Sequence, residues 1–217
     1  MKIYTCEGSR GLRATWAAEE IGLDYELVMM PFPPRAFAKE YFAVNPLGTV
    51  PALVADGQVM TESSAIAHYL AARHSPGNLV VNVEEPDFGP FLDYLHHADA
   101  TLTFPQTVRL RFCMFEVERG LQEAGEAYGT WFGKRLIKID QRLADRDFLC
   151  ADRFTVADIA IAYALHLTDM TKLSHLLSPR LTEWLEQMRA RPGFVRAVAR
   201  EQAELAAPKA AGLTPAR

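Results

Sequence analysis

Two neighbouring segments hold the residues best suited to chemistry, Asn45-Pro-Leu-Gly-Thr-Val-Pro-Ala-Leu-Val54 and Thr61-Glu-Ser-Ser-Ala-Ile-Ala-His-Tyr-Leu70. A proline directly before an apolar strand predicts a fixed turn at Val50-Pro51. It admits a cis bond there and leaves the Val50 backbone unpaired. A free N–H and C=O can take up an extended peptide as one more strand. Glu62 and Ser63 fall at the start of a helix, where unpaired N–H groups attract a carboxylate. Glu62 accepts from an ammonium, and Ser63 donates to a carboxylate. The plainer alternative is that Thr61 or Glu62 only caps the helix.

A second constellation is Thr5-Cys-Glu-Gly-Ser-Arg-Gly11. Ser9 sits where a hydroxyl and the first N–H groups of a helix would point together at an anion. Arg10 and Arg13 add positive potential. The alternative for Ser9 is a plain N-cap. Cys6 is the competing group in this loop. Its place at a strand end also suits a small buried core residue, and Glu7 beside it opposes ionisation.

The elements that must position these groups can be read from pattern. Lys2 to Cys6 is a strand. Ser9 to Ile21 is a helix with Leu12, Trp16, Ala17 and Glu20 on one face, stopped by Gly22. Tyr25 to Met30 is a strand, Pro31 to Pro34 a rigid loop, and Ala36 to Val44 a short helix. Pro51 to Val54 and Gln58 to Met60 form a hairpin around Asp56-Gly57, and Ser63 to Arg73 is a helix. The order βαβαββα gives a parallel crossover and then an antiparallel hairpin, in one mixed sheet. Residues 77–86 read as a linker between domains 1–76 and 87–217. The second domain is all-helical, with helices at Phe88–Phe115, Leu121–Asp145, Val156–Leu167, Pro179–Ala190 and Gly193–Ala206. The tail from Ala207 to Arg217 reads as frayed. Thr155 and Asp158, after Phe154, form a capping-box variant at the start of a buried helix, a structural device.

Composition narrows the function. A net charge of -4 speaks against a nucleic-acid partner. Three cysteines without metal-like spacing suit free thiols in a reducing cytoplasm. No apolar run reaches the length of a membrane span, and the N-terminus is too short in apolar residues for a signal peptide. His96-His97 lacks the spacing that puts two ligands on one helical face, so no metal is expected.

The chain resembles the cytosolic glutathione S-transferase family, of bacterial type. The likeness rests on Asn45 to Leu53, Glu62 to Ile66, Ala18 to Glu26, Phe154 to Ile159 and Arg191 to Phe194 in that order. It implies a thioredoxin-like N-terminal domain and an all-α C-terminal domain. It also implies a homodimer with a detoxifying role and glutathione as co-substrate. Val50 would then pair with the cysteinyl part of glutathione, beside a cis Pro51. Glu62 and Ser63 would hold its γ-glutamyl end, and Lys39 or Tyr41 its glycyl carboxylate. Ser9, with Arg10 near it, would support the thiolate. Cys6 would instead give a mixed disulfide and a thiol-transfer or dehalogenating chemistry. The electrophile pocket would draw on Phe32 and, from the second domain, on Tyr94, His97, Phe104, Arg109 and Phe112, whose aromatics suit flat apolar acceptors. One arginine facing in would favour acidic substrates. The rival readings are a glutathione-dependent dehalogenase, ether-cleaving enzyme or isomerase, and a non-enzymatic ligand-binding or regulatory protein.

Overall fold

The computed structural model describes residues 1–206; the tail predicted at Ala207 to Arg217 lies outside the described residues. The chain divides into two compact units, Met1–Ser75 together with the segment from Arg191, and Pro76–Ala190.

The first unit is built on a four-stranded sheet of order β2-β1-β3-β4. The strands are β1 (Lys2–Thr5), β2 (Glu26–Met29), β3 (Ala52–Ala55) and β4 (Gln58–Met60). β1 runs parallel to β2 and antiparallel to β3, as the crossover and the hairpin predict. Ile3 stands opposite both Leu27 and Leu53, so one face of the sheet is a band of branched side chains. Helices α1 (Leu12–Ile21) and α3 (Ser63–His74) supply Ala14, Ala18, Ile66 and Leu70 to the same core. Cys6, Met30, Ala38, Tyr41 and Ala52 make a smaller core. In the hairpin, Asp56 and Gly57 both have positive φ, 50° and 72°, as a tight turn between twisted strands requires. The predicted helix at Ala36–Val44 is instead one turn of α-helix, α2 (Pro34–Phe37), followed by a 3-10 turn at Lys39–Ala43.

The last helix, α10 (Pro192–Ala206), belongs with this unit and not with the helical domain to which the sequence assigned it. The reason is a specific seam with α1. Phe194 packs edge-on against Trp16 at 5.0 Å, and Arg191 pairs with Glu20 at 2.8 Å. Arg196 and Arg200 both reach Glu19.

The second unit is helical: α4 (Phe88–His97), α5 (Phe104–Leu110), α6 (Gln122–Arg135), α7 (Ile137–Arg142), α8 (Val156–Thr171) and α9 (Pro179–Arg189). The long helix predicted over 88–115 is interrupted twice by wider π turns, at Ala98–Thr103 and Arg111–Phe115. Pro105 explains the first. It has no N–H for the Thr101 carbonyl and its ring crowds that oxygen, so the preceding turn widens. The predicted linker is not a free tether. Leu79, Val80 and Val81 are buried, the Val156 N–H bonds to the Leu79 carbonyl, and Arg153 clasps Glu85 at 2.7 Å. α8 is apolar around its circumference and buried. Thr155 and Asp158 form the predicted capping box at its start.

Candidate functional site

The loop before β3 is tied down by two side chains. The Tyr41 hydroxyl and the Asn45 amide donate to the Thr49 carbonyl at 2.9 and 2.8 Å. The Asn45 side-chain oxygen accepts the Leu47 N–H at 3.0 Å, which closes the turn around Pro46. The Val50–Pro51 bond is cis. Among the described residues, neither the N–H nor the C=O of Val50 has a hydrogen-bond partner. A backbone donor and acceptor therefore stand free at the start of β3, held by a loop that Tyr41 and Asn45 tie down. Tyr41 must be reassigned. It is 2 % exposed and its proton goes to Thr49, so it shapes the loop instead of offering a donor to a ligand. Lys39 is exposed and donates to the Arg35 carbonyl at 2.8 Å, with two further protons on its ammonium.

At the start of α3, Glu62 takes the N-cap position with an exposed carboxylate and no side-chain partner among the described residues. Ser63 is buried, and its Oγ accepts from Arg13 Nη1 at 3.0 Å. A hydroxyl that accepts from a guanidinium keeps its own proton to give, and the cation strengthens it as a donor. Arg13 lies on α1 and is fully buried. The sequence suggested it only as a source of potential. Its direct grip on Ser63, fifty residues away, is a product of folding. The one legible signal was a cation on the helical face that also carries Leu12 and Trp16.

Ser9 does not open the helix, as the spacing predicted. Gly8 has φ of 64°, Ser9 lies in the following turn, and α1 begins at Leu12. The Ser9 hydroxyl is a junction in this turn. It accepts the Cys6 and Gly11 N–H groups at 3.3 and 3.2 Å and shares a proton with Thr5 Oγ1 at 3.0 Å. Thr5 in turn donates to the Cys6 carbonyl at 3.2 Å. With both Ser9 lone pairs occupied, its proton is directed at Thr5. A stronger acceptor such as a thiolate can draw that proton by rotation about the C–O bond. Gly11 is required here, since a Cβ would overlap the Thr5 side chain. Arg10 sits partly exposed in the same turn.

Cys6 is corrected as a nucleophile. It is 1 % exposed and its thiol points at the Pro31 carbonyl, 3.7 Å away. Burial, with the Glu201 charge adding to it, pushes this thiol up to about 12. It is a protonated core residue at neutral pH.

The expected pocket residues lie in two units. Phe32, in the first, is 60 % exposed. In the second, Phe104 is 48 % exposed and meets Tyr128 edge-on at 6.1 Å. Tyr94 is buried with the Lys138 ammonium over its ring. His97 has a buried Nε2 without a partner among the described residues, and burial lowers its pKa. Phe112 is half-buried beneath the Arg111 guanidinium. A cleft of ≈ 370 Å³ in this unit is lined by Arg109, Glu126, Thr130, Lys134, Leu173 and His175 among others. Tyr94, His97, Phe104 and Phe112 do not line it. Arg109 pairs with Glu126 and donates to the Thr171 carbonyl at 2.9 Å, so its charge is largely offset.

Residues 9–73 match the family model for the glutathione S-transferase N-terminal domain, and residues 115–187 match that for the C-terminal domain. The chain belongs to the glutathione S-transferase family. Glutathione S-transferase 4 of Zea mays is 30 % identical over 189 residues, 83 % of each chain. Glutathione S-transferase GstA of Escherichia coli O157:H7 is 26 % identical over 93 % of this chain and 98 % of its own. Among solved structures, a ternary complex of BphK, a bacterial GST, superposes with a TM-score of 0.81 at 25 % identity, covering 93 % of this chain and all of that one. A sphingomonad glutathione S-transferase complexed with glutathione gives the same score and identity, covering 93 % of this chain and 99 % of its own. The two-unit fold, a small mixed sheet with its helices and then a helical unit, is that of the glutathione S-transferases.

Proposed function

We propose that this glutathione transferase binds the peptide on its first unit as an added strand at Val50 and attacks a hydrophobic electrophile with the peptide's sulfur. The observation that carries the reading is the free Val50 backbone pair beside cis Pro51 and ahead of the α3 N-terminus. The Val50 groups would pair with the cysteinyl residue. Glu62 would accept from the γ-glutamyl ammonium, and Ser63, polarised by Arg13, would donate to its carboxylate. Lys39 is the remaining cation for the glycyl carboxylate, and Arg10 adds positive potential near the thiol.

A cysteine thiol of pKa about 8.5 is mostly protonated at neutral pH. Ser9 would turn its hydroxyl from Thr5 to the sulfur and favour the thiolate, the thiol proton leaving to solvent. The sulfur lone pair then forms a bond to the electrophilic carbon, and the leaving group departs with the electrons of the broken bond. Proximity and thiolate stabilisation supply the acceleration. The exposed ring of Phe32, on the unit that carries the peptide site, supports an apolar acceptor. The buried, protonated state of Cys6 weighs against the dehalogenating and thiol-transfer alternatives. Three free cysteines fit a reducing cytoplasm, and a homodimer with a detoxifying role completes the reading.

Calorimetry with glutathione tests it. The wild type binds, and Glu62→Ala weakens binding by about tenfold or more, the value of a hydrogen bond to a charged group. No heat from the wild type at millimolar glutathione would sink the proposal.

A further inference from the structure

Thr5 closes β1 and is fully buried. The sheet fixes its place, because its carbonyl accepts the Met30 N–H at 2.7 Å. Its Oγ1 lies 3.0 Å from Ser9 Oγ and donates to the Cys6 carbonyl at 3.2 Å. The Thr5 proton is thereby committed. Ser9 Oγ already accepts from two backbone N–H groups, those of Cys6 and Gly11. The hydrogen between the two hydroxyls is therefore that of Ser9, and Thr5 Oγ1 is its acceptor. Room is kept for this oxygen at Gly11, where a Cβ would overlap it.

Competition follows from this geometry. Ser9 has one proton, which cannot serve Thr5 and a sulfur anion at once. When it turns to the sulfur, two hydroxyl oxygens are left 3.0 Å apart with no hydrogen between them, since the Thr5 proton serves Cys6. Turning the Thr5 proton onto Ser9 instead would place a third hydrogen on an oxygen with two lone pairs. Either way, a hydrogen bond of the empty site is given up when the sulfur ionises.

We propose that Thr5 is a positioning residue that sets how strongly Ser9 stabilises the glutathione thiolate, by holding the Ser9 proton until the sulfur anion draws it away. This rests on the glutathione reading above. The bond to Thr5 lowers the thiolate fraction and keeps the sulfur more basic. A more basic thiolate is the stronger nucleophile.

Thr5→Val tests it, because the two side chains share a shape and only the hydroxyl is lost. The Cys6 carbonyl keeps the Ser9 N–H at 3.1 Å, and Ser9 Oγ keeps both of its donors. Of the groups around the turn that titrate or carry charge, Glu7 and Arg10 lie within it and Cys6 is a protonated thiol. Tyr4 stands on β1 against Tyr41, Arg13 on α1 reaches Ser63, and Glu201 on α10 accepts from Thr15. The substitution alters none of them.

The readouts are the ultraviolet absorbance of bound thiolate and kcat/KM, each followed across pH. On the acid limb Thr5→Val is expected to hold roughly two- to tenfold more thiolate than wild type, the net worth of one neutral hydrogen bond. The two kcat/KM profiles are expected to cross. The variant is faster on the acid limb and slower on the alkaline plateau, by up to about threefold, as nucleophilicity falls with basicity. Thr5→Ser is expected to restore the wild-type titration. Thr5→Ala is expected to shift it as Thr5→Val does, and it carries the test if the extra methyl disturbs the strand end. In a Ser9→Ala background, Thr5→Val is expected to change nothing further. An unshifted titration, a loss of rate on both limbs, or a shift that persists without Ser9 would overturn the proposal and leave glutathione binding standing. Absence of glutathione binding by the wild type would overturn the glutathione reading and this proposal with it.

Discussion

Removing the Asp158 carboxylate is expected to cost the chain a large part of its stability without touching the glutathione site. Asp158 is fully buried at the third position of α8. Its Oδ1 accepts the Leu149 N–H at 2.8 Å, and its Oδ2 accepts the Thr155 N–H at 2.8 Å and the Thr155 hydroxyl at 3.1 Å. One side chain therefore caps α8 and pins the segment before it. In Asp158→Ala both backbone N–H groups stay buried without an acceptor. At about 1–3 kcal/mol for each, the loss is about 4 kcal/mol. That is a large fraction of the ~5–15 kcal/mol that holds a domain folded. Urea unfolding followed by circular dichroism is the assay. With a slope of about 2–3 kcal/mol/M, the midpoint is expected to fall by about 1.3–2 M. Asp158→Asn keeps one carbonyl oxygen as acceptor and is expected to lose about half as much. The KM for glutathione of the folded variant is expected to stay unchanged, since the hydrogen-bond partners of Asp158 are Leu149 and Thr155. A midpoint shift below about 0.5 M would refute the accounting of buried donors. So would a changed KM in a protein of unchanged stability.

Cys6→Ser is expected to leave the glutathione conjugation rate within about twofold of wild type, because a buried protonated thiol is no nucleophile. Loss of turnover with calorimetric binding intact would instead establish a cysteine mechanism. Glu85 predicts an acid dependence. Arg153 and the Asn82 backbone hold its carboxyl down at about 2, against an ordinary 4.5. A depressed carboxyl contributes stability that is present above about 4.5 and lost as pH falls through about 2. Urea midpoints of wild type and Glu85→Gln are therefore expected to differ at neutral pH and to converge in that acid window. A constant difference at all pH values would contradict the linkage.

The elements of the first unit were legible because they follow local rules. The short strand read at Lys2 to Cys6 is β1, Asp56-Gly57 marked the hairpin, and Gly22 ended α1 at its predicted stop, Ile21. The turn at Val50-Pro51 was legible for the same reason, since a proline's missing N–H is a property of one residue. Pro105 was equally visible, yet the π turn it accompanies was missed, because a helical period continues through a widened turn and only its register shifts. The capping box at Thr155 and Asp158 was read correctly. That Asp158 also pins Leu149 was not, because the bond spans nine residues outside the helix.

The sequence by itself determined which groups stand next to one another along the chain. These are the free backbone at Val50, the acidic N-cap at Glu62, the Asp56-Gly57 hairpin, and the element order that makes a mixed sheet. Each is a matter of φ, of a missing N–H or of a period, and such properties are fixed over a few residues. Tertiary structure alone decided what each polar group gives its proton to. It set Arg13 against Ser63, turned Tyr41 and Asn45 onto Thr49, buried Cys6, and brought Glu201 from the last helix to Thr15. Those pairings join residues as much as 186 positions apart. They are enforced by the cost of leaving a buried donor or acceptor unmatched. That cost depends on burial, and burial exists only once the chain has folded.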